Sequence, residues 1–133
     1  MNALEPGATL SMQEYVVTRA DLVRYTGASG DRNPIHWSDR VAGAVGLPGV
    51  IAHGMYTMAL AARALDTWAG APGRVRELGC KFTKPVVVPA EGGVEIQVAG
   101  TVKDVADGRA TLALEVTCGG EKVLGMPRAV LRA

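Results

Sequence analysis

The feature that most constrains the fold is a predicted helix over residues 54–68 that is apolar almost all round. Between positions 58 and 65 only Arg63 is polar, and Gly70 follows as a helix-ending residue. A helix without a polar face has to be covered on every side, so the rest of the chain is expected to wrap around it. Five of the fifteen residues from 54 to 68 are alanine or glycine, which predicts a covering layer pressed close to the helix.

Strand patterns fill the second half of the chain. They predict strands over 75–82, 94–102, 110–117 and 121–131, with an earlier strand over 12–18. Asp107-Gly108 and Gly119-Gly120 are typical of hairpin turns, and the prolines at 85 and 89 keep the valines between them out of a central sheet. The pattern favours one α+β domain over residues 1–133, in which an antiparallel sheet wraps around a long central helix.

The first helix is predicted from its cap. Thr18, followed three positions later by Asp21, is typical of a capping box. The helix that begins at Arg19 is expected to end near Gly27 or Gly30. It leads directly into a polar loop over residues 29–37.

The composition excludes several functional classes. The chain is 48% hydrophobic and 20% charged with a formal net charge of +1, which gives no general attraction for nucleic acid or for a membrane surface. The N-terminus lacks a basic region followed by an apolar run, and Pro48 and His53 interrupt the longest apolar stretch, so neither a signal peptide nor a membrane span is expected. Cys80 and Cys118 are isolated, which favours reduced thiols of a cytoplasmic protein over a disulfide.

The loop GDRNPIH at residues 30–36 carries the first candidate site. Asp31 alone is typical of a turn, and His36 alone is typical of a partly exposed polar residue. Together they form a candidate acid/base pair, because a histidine titrates near the working pH and a nearby carboxylate can share a water molecule with it. Pro34 restricts the loop between them, and Asn33 offers an amide that can hold a substrate oxygen.

The run AHGMYTM at residues 52–58 carries the second candidate site, at the start of the long helix. Gly54 can simply relieve crowding at a loop-to-helix junction. It also allows a substrate carbonyl to approach the free backbone N–H groups of a helix N-terminus, which stabilise a developing negative charge. His53 is expected to cap the helix or to pack, and not to act as a base.

Other kinds of site find no support in the sequence. There is no G-x-S-x-G elbow, no G-x-G-x-x-G and no phosphate-binding loop. The two histidines lack H-E-x-x-H spacing, so no metal site is expected.

The two runs together resemble the MaoC-like dehydratases, also called R-specific enoyl hydratases or hydratase 2. The similarity extends from about Thr18 to the C-terminus, and within the family the sequence resembles the beta subunit of mycobacterial-type (3R)-hydroxyacyl-ACP dehydratases. The resemblance implies a hot-dog fold. It also implies that Asp31 and His36 are the catalytic pair, that Asn33 lies in the same site, and that the Gly54 amide contributes to an oxyanion hole.

The implied reaction is the reversible dehydration of (3R)-3-hydroxyacyl thioesters to trans-2-enoyl thioesters in fatty-acid metabolism, carried out by a catalytic subunit of a dimeric, FAS-II-type dehydratase. The substrate is an acyl-CoA or acyl carrier protein thioester, and no metal or redox cofactor is required, because CoA or phosphopantetheine only carries the acyl group. The partner is a second copy or a related hot-dog subunit. Acyl chain length, carrier, pathway and the division of proton transfers between Asp31 and His36 stay open.

Three alternatives remain beside that reading. The first is a homodimeric (R)-specific enoyl-CoA hydratase, and the second is a non-catalytic hot-dog subunit that only binds acyl chains. The third, a hot-dog thioesterase, needs an acidic residue on the central helix, and residues 54–65 contain neither Asp nor Glu.

One departure from the family concerns the orientation of Asp31. Some family members place a serine on the central helix that hydrogen-bonds the catalytic aspartate, whereas this chain has Ala59, Ala61 and Ala62 there. Thr57 is the candidate substitute.

Overall fold

The structure is a computed structural model that describes residues 4–133. A single 3-10 turn, Pro34–His36, separates the first two helices. The helices and strands, in chain order, are β1 (Thr9–Thr18), α1 (Arg19–Ser29), α2 (Asp39–Ala44), α3 (Gly54–Ala69), β2 (Val75–Phe82), β3 (Gly93–Ala106), β4 (Arg109–Cys118), β5 (Glu121–Lys122) and β6 (Leu124–Arg132).

One antiparallel sheet covers the central helix. Its strand order is β1-β3-β4-β6-β2, and the short β5 pairs with β4. The residues of α3 that face the sheet are buried: Thr57, Leu60, Ala61, Ala64, Leu65, Trp68 and Ala69. The α+β prediction is therefore confirmed, and the arrangement is the one that the hot-dog resemblance implies.

The prediction that α3 is covered on every side is wrong for the single chain. Met55 is 56% exposed, and Ala59 and Arg63 also lie on the exposed side of the helix. The Arg63 guanidinium is positioned 5.0 Å from the centre of the Tyr15 ring, in a cation–π contact. The sheet covers one face of α3, and an outer face that is partly apolar stays open.

The close approach of sheet and helix is clearest where Trp68 crosses Gly100 on β3. A Cβ atom at position 100 would lie 2.9 Å from Cη2 and Cζ3 of the indole. The indole cannot move away freely, because its Nε1–H donates to the Ser11 carbonyl at 2.7 Å. Glycine at this position is what allows the sheet to press on the helix, as the small residues of α3 predicted.

Gly100→Ala is expected to lower the free energy of unfolding by about 1–3 kcal/mol, because the added methyl group overpacks the core. Gly79→Ala on β2 is the matched control, since a Cβ there meets nothing within 4 Å. Urea unfolding of both variants measures the effect. A Gly100→Ala protein as stable as the control would contradict the packing described for Trp68.

The predicted last strand over 121–131 is interrupted in the structure. β5 pairs with β4 through Thr117 and Lys122, while β6 lies between β4 and β2. Val123 separates β5 from β6. Inside β6 the backbone is irregular, because Met126 adopts a positive φ of 48° and Pro127 has no N–H for a ladder hydrogen bond. The predicted hairpin at Gly119-Gly120 does connect β4 to β5.

The capping box at the start of α1 is confirmed. The Asp21 N–H donates to Thr18 Oγ1 at 3.3 Å, and the Thr18 N–H donates to Asp21 Oδ2 at 2.9 Å. The hydrogen bond from the Thr18 N–H lowers the pKa of the Asp21 carboxyl. Of the two predicted helix ends, Gly30 is the correct one and adopts a left-handed conformation with φ 78°.

The segment that leads into α3 is held by the proline-bounded loop after β2. The Val88 N–H donates to the Val50 carbonyl at 2.9 Å, and the Ala52 N–H donates to the Val86 carbonyl at 2.9 Å. As predicted, this loop stays outside the strands, with one isolated bridge between Ile51 and Val87. The N-terminus of α3 is thereby fixed in place.

An ion pair holds the same segment from its other side. Arg19, at the start of α1, donates hydrogen bonds from both terminal nitrogens to the Asp39 carboxylate, at 2.9 and 3.1 Å. The Asp39 carboxylate also accepts the Val50 N–H at 3.1 Å. Helices α1 and α2 are in this way tied to the chain that enters α3.

Two further expectations concern the cysteines and membrane insertion. Cys80 and Cys118 are both free thiols, as predicted. Within residues 4–133, no helix combines the length and the apolar character that a membrane crossing requires.

Candidate active site

His36 is positioned by the 3-10 turn that ends the polar loop. Asn33 precedes the proline in an extended conformation, with φ −56° and ψ 123°, as predicted. Its side-chain oxygen accepts the Ile35 N–H at 3.2 Å and caps the turn. The predicted site residue Asn33 therefore has a structural contact that the sequence reading did not assign to it.

The hydrogen bond to the Ile51 carbonyl assigns the tautomer of His36. Nδ1 of His36 lies 2.7 Å from the Ile51 oxygen, and a carbonyl can only accept, so Nδ1 carries the proton. In the neutral ring, Nε2 then holds the lone pair. The His36 side chain is only 9% exposed, and its Nε2 lies 3.7 Å from Oδ2 of Asp31.

Asp31 is oriented by hydrogen bonds within its own loop. Its Oδ1 accepts the Asn33 N–H at 3.2 Å, and its own N–H donates to Ser29 Oγ at 3.1 Å. Thr57, the predicted substitute for the missing helix serine, instead lines a cavity beside Gly54. Asp31 is 51% exposed, so its carboxylate is open to a ligand.

The gap between Asp31 and His36 suits a shared oxygen atom. Oδ2 and Nε2 are 3.7 Å apart, which is too long for a direct hydrogen bond. One oxygen atom can still lie about 2.8 Å from both groups. The pair can therefore hold a water molecule or a substrate hydroxyl between an acid and a base.

His53 is the second histidine of the site and is fully buried. Its ring stacks on that of His36, with centres 3.8 Å apart and an angle of 21° between the planes. Its Nε2 lies 3.3 Å from the Asp31 carbonyl and 3.2 Å from Thr26 Oγ1. The side chain does not cap α3, so the predicted capping role is wrong and the predicted packing role is confirmed.

Burial lowers the pKa of His53, and the adjacent His36 lowers it further. The Asp31 carbonyl and carboxylate act in the opposite direction. The net shift favours a neutral ring at this position.

Gly54 is the first residue of α3. The Tyr56 and Thr57 N–H groups both donate to the His53 carbonyl, at 3.0 and 3.2 Å, and begin the hydrogen bonding of the helix. The amides of Gly54 and Met55 precede these bonds and have no acceptor within the helix. A Cβ on Gly54 would lie 2.9–3.1 Å from atoms of the Phe82 ring, so a larger residue at this position would force that ring to move.

An apolar cavity of about 240 Å³ begins at Gly54. Phe82 on β2 and Leu124 on β6 form part of its wall, together with Val86 from the proline-bounded loop. A group bound at the Gly54 amide can extend into this space. The cavity suits an aliphatic chain better than a polar one.

A metal ion fits the cluster of Asp31, His36 and His53 poorly. Each offers one ligand atom, and these atoms lie within 4.8 Å of one another. The two imidazole rings, however, are stacked at 21°, and the in-plane lone pairs of nearly parallel rings do not converge on one ion. The arrangement favours acid/base chemistry.

The structure brings the predicted residues of both candidate sites close together. Asp31, Asn33 and His36 share one loop, and the stack of His36 on His53 places this loop beside Gly54. The sequence reading missed the Ile51 carbonyl and the position of His53. The run at 52–58 contained the only signal for His53, since it places that residue next to Gly54.

Comparisons with known proteins identify the family to which the chain belongs. Residues 2–118 match the model of the MaoC like domain family. The chain is 40% identical over 80 residues to 3-hydroxyacyl-thioester dehydratase X of Mycobacterium tuberculosis, a match that covers 60% of this chain and 28% of that protein. It is 34% identical over 122 residues to 3-hydroxybutyryl-CoA dehydratase of Methylorubrum extorquens, covering 91% of this chain and 76% of the relative.

A solved structure supports the fold. R-Hydratase PhaJ1 from Pseudomonas aeruginosa, in its unliganded form, superposes with a TM-score of 0.84 at 28% identity, covering 97% of this chain and 81% of that one. The hot-dog prediction is thereby confirmed. The chain spans little more than a quarter of the length of the mycobacterial relative. The family model matches most of this chain, which therefore belongs to the MaoC-like dehydratase family.

Proposed function

We propose that this chain catalyses the reversible dehydration of (3R)-3-hydroxyacyl thioesters to trans-2-enoyl thioesters. The observation that carries the proposal is the position of His36 Nε2 at 3.7 Å from the Asp31 carboxylate, with Nδ1 of the same ring bonded to the Ile51 carbonyl. This pair lies beside a helix N-terminus with free amides. The relatives named as dehydratases of a 3-hydroxyacyl thioester and of 3-hydroxybutyryl-CoA support the same chemistry, and the similarity to an R-hydratase supports the (3R) configuration.

The helix N-terminus acts on the thioester carbonyl. The Gly54 N–H donates a hydrogen bond to the carbonyl oxygen, and the helix dipole stabilises the negative charge that develops there as an enolate forms. This interaction acidifies the protons on the α-carbon. The acyl chain beyond the reacting carbons enters the cavity bounded by Phe82, Val86 and Leu124.

The acid/base pair carries out the proton transfers. His36 Nε2 removes a proton from the α-carbon, and its Nδ1–H stays bonded to the Ile51 carbonyl. Protonated Asp31 delivers its proton to the departing 3-hydroxyl, directly or through a shared water molecule, and the C–O bond breaks to release water. Return of the proton from His36 to Asp31 closes the cycle, and hydration reverses every step.

The reaction requires neither a metal ion nor a redox cofactor, because every step is a proton transfer at an activated thioester. CoA or the phosphopantetheine of an acyl carrier protein serves only to carry the acyl group. The free thiols of Cys80 and Cys118 are typical of a reducing compartment, and we place the reaction in the cytoplasm.

The exposed surface around β2 supports a dimer. β2 is an edge strand that pairs only with β6 among the described residues, and an open edge is a template for another chain. Phe82 on β2 is 57% exposed and Met55 on α3 is 56% exposed. We infer that a second copy, or a related hot-dog subunit, joins its sheet to this edge and covers the outer face of α3.

The thioesterase alternative has little support in the structure. Asp66 is the acidic residue of α3, and it is exposed near the C-terminal end of the helix. It lies about 18 Å along the helix axis from Gly54. No carboxylate of α3 is therefore placed to act at a carbonyl bound to the Gly54 amide.

Hydration of trans-2-enoyl thioesters by the purified chain tests the proposal. The assay uses CoA and acyl carrier protein substrates in parallel, with the mass of the chain in solution measured by light scattering. Activity from a homodimer on CoA esters identifies an enoyl-CoA hydratase, whereas activity only with a related subunit and a carrier-protein substrate identifies a subunit of a fatty-acid synthesis dehydratase. No activity under either condition would contradict the proposal.

A further inference from the structure

His53 contacts three parts of the site, although the proposed reaction gives it no chemical step. Its ring stacks on His36, its Nε2 reaches the Asp31 carbonyl, and its own carbonyl accepts the first hydrogen bonds of α3. It is only 2% exposed. A substrate therefore has no direct access to it, and its effect on the reaction has to pass through its neighbours.

The hydrogen bonds of His53 assign its tautomer. Nε2 lies within reach of the Asp31 carbonyl, which can only accept, so Nε2 carries the proton. Thr26 Oγ1, at 3.2 Å from Nε2, is a second acceptor for the same N–H. Nδ1 then holds a lone pair that, within residues 4–133, has no partner and is buried.

The stack and the hydrogen bond act on the two halves of the acid/base pair. The ring of His53 covers one face of the His36 ring at 3.8 Å, which restricts rotation of His36 about its side-chain bonds. The Nε2–H of His53 holds the backbone of Asp31 through its carbonyl at 3.3 Å. One buried side chain thus fixes the position of both the acid and the base.

We propose that His53 is a positioning residue, whose ring fixes the plane of the His36 imidazole and whose Nε2–H fixes the backbone of Asp31. The 3.7 Å separation of the pair depends on both contacts. The expected effects on kcat rest on the proposed function. The expected effects on the His36 ring rest on the geometry alone. It also explains why a buried polar ring occupies a place that an aliphatic residue would fill more cheaply.

Two variants separate the two contacts. His53→Phe keeps an aromatic ring against His36 and removes the N–H that reaches Asp31. His53→Gln keeps an amide N–H near the position of Nε2 and removes the stacked ring. We expect kcat to fall about 10- to 100-fold in both variants, because small misplacements of reacting groups cost about this much, while KM stays within about threefold.

Nuclear magnetic resonance supplies a readout that does not depend on activity. The chain has two histidines, so in either variant of an untagged protein His36 is the remaining imidazole and its signals need no further assignment. We expect the order parameter of the His36 ring to fall in His53→Gln and to stay near the wild-type value in His53→Phe. Tyr25→Phe, which keeps the edge contact of its ring with His53, is the control and should leave kcat within about twofold.

The outcomes separate this inference from the proposed function. If wild-type protein shows no hydratase activity with any partner, the proposed function fails, and the ring dynamics of His36 alone decide the role of His53. Wild-type dynamics of His36 in His53→Gln would overturn the inference, as would wild-type kcat in both variants. Should neither variant fold, the wild-type spectrum still decides, because a His53 protonated on Nδ1 would contradict the hydrogen bond to Asp31.

Discussion

Asp31→Asn is expected to lower kcat for enoyl-thioester hydration by about 100- to 10,000-fold, the range that a positioned acid or base supplies. The substitution keeps the shape of the side chain and the oxygen that accepts the Asn33 N–H. It removes the charge that faces His36 Nε2 at 3.7 Å. His36→Ala should cause a loss of similar size, because no other free imidazole nitrogen faces Asp31 in the described part of the chain.

Steady-state kinetics together with thermal unfolding measure this effect. Asp104→Asn on β3 is the matched control, since this aspartate is exposed and lies outside the site, and it should leave kcat within about twofold. The melting temperature of Asp31→Asn should stay close to that of the control. Retained activity in both Asp31→Asn and His36→Ala would refute the assignment of the acid/base pair.

Gly54→Ala is expected to lower kcat/KM about 10- to 100-fold, somewhat less than the complete loss of an oxyanion-hole donor. The amide N–H survives, but the new methyl group would lie 2.9–3.1 Å from the Phe82 ring atoms, in the wall of the cavity that begins at Gly54. We expect it to hinder a substrate carbonyl that approaches the amide from this cavity. The kinetics of the single variant measure the loss.

A second substitution distinguishes a blocked amide from a displaced ring. Phe82→Leu relieves the collision with the methyl group of Gly54→Ala but leaves the methyl group on the residue that carries the amide. We expect kcat/KM of the double variant, relative to Phe82→Leu, to be lowered as much as that of Gly54→Ala relative to the wild type. Recovery to the activity of Phe82→Leu alone would show that crowding against Phe82 explains the loss, and it would contradict an oxyanion role for Gly54.

Local signals made much of the fold predictable. The prolines and glycines around β2 gave its bounds at Val75–Phe82, and the pair of Thr18 and Asp21 gave the start of α1. The interruption of the last strand was not predictable in the same way. The break falls at Val123 and reflects strand pairing: β5 pairs with β4, whereas β6 lies between β4 and β2. The local pattern does not show which neighbour each segment takes.

Surface exposure of the central helix shows another limit of sequence patterns. An apolar helix is expected to be buried by apolar residues, but its pattern does not show whether those residues belong to the same chain or to a second one. The sheet buries the face that includes Leu65 and Trp68, and Met55 stays exposed. In the proposed dimer, the missing cover comes from a second chain.

In the candidate site, too, the features set by local sequence were predictable and those set by contacts between distant residues were not. Asp31 and His36 were predictable as a pair because five positions and one proline separate them in a restricted loop. The tautomer of His36 was not, because it is assigned by the Ile51 carbonyl, which is fifteen positions away. The stack of His36 on His53, with ring centres 3.8 Å apart, was not predictable either. It depends on how the two runs meet in the folded chain, which neither motif specifies.

Hydration of trans-2-butenoyl-CoA in deuterium oxide, with the configuration and isotope content of the product determined together, tests the proposed reaction most directly. We expect the (3R)-3-hydroxy thioester carrying one deuterium at C2, formed by the wild-type chain with the partner it needs and formed at least about 100-fold more slowly by Asp31→Asn. A (3S) product, an unlabelled C2, or equal activity in Asp31→Asn would contradict the proposed action of Asp31, His36 and Gly54.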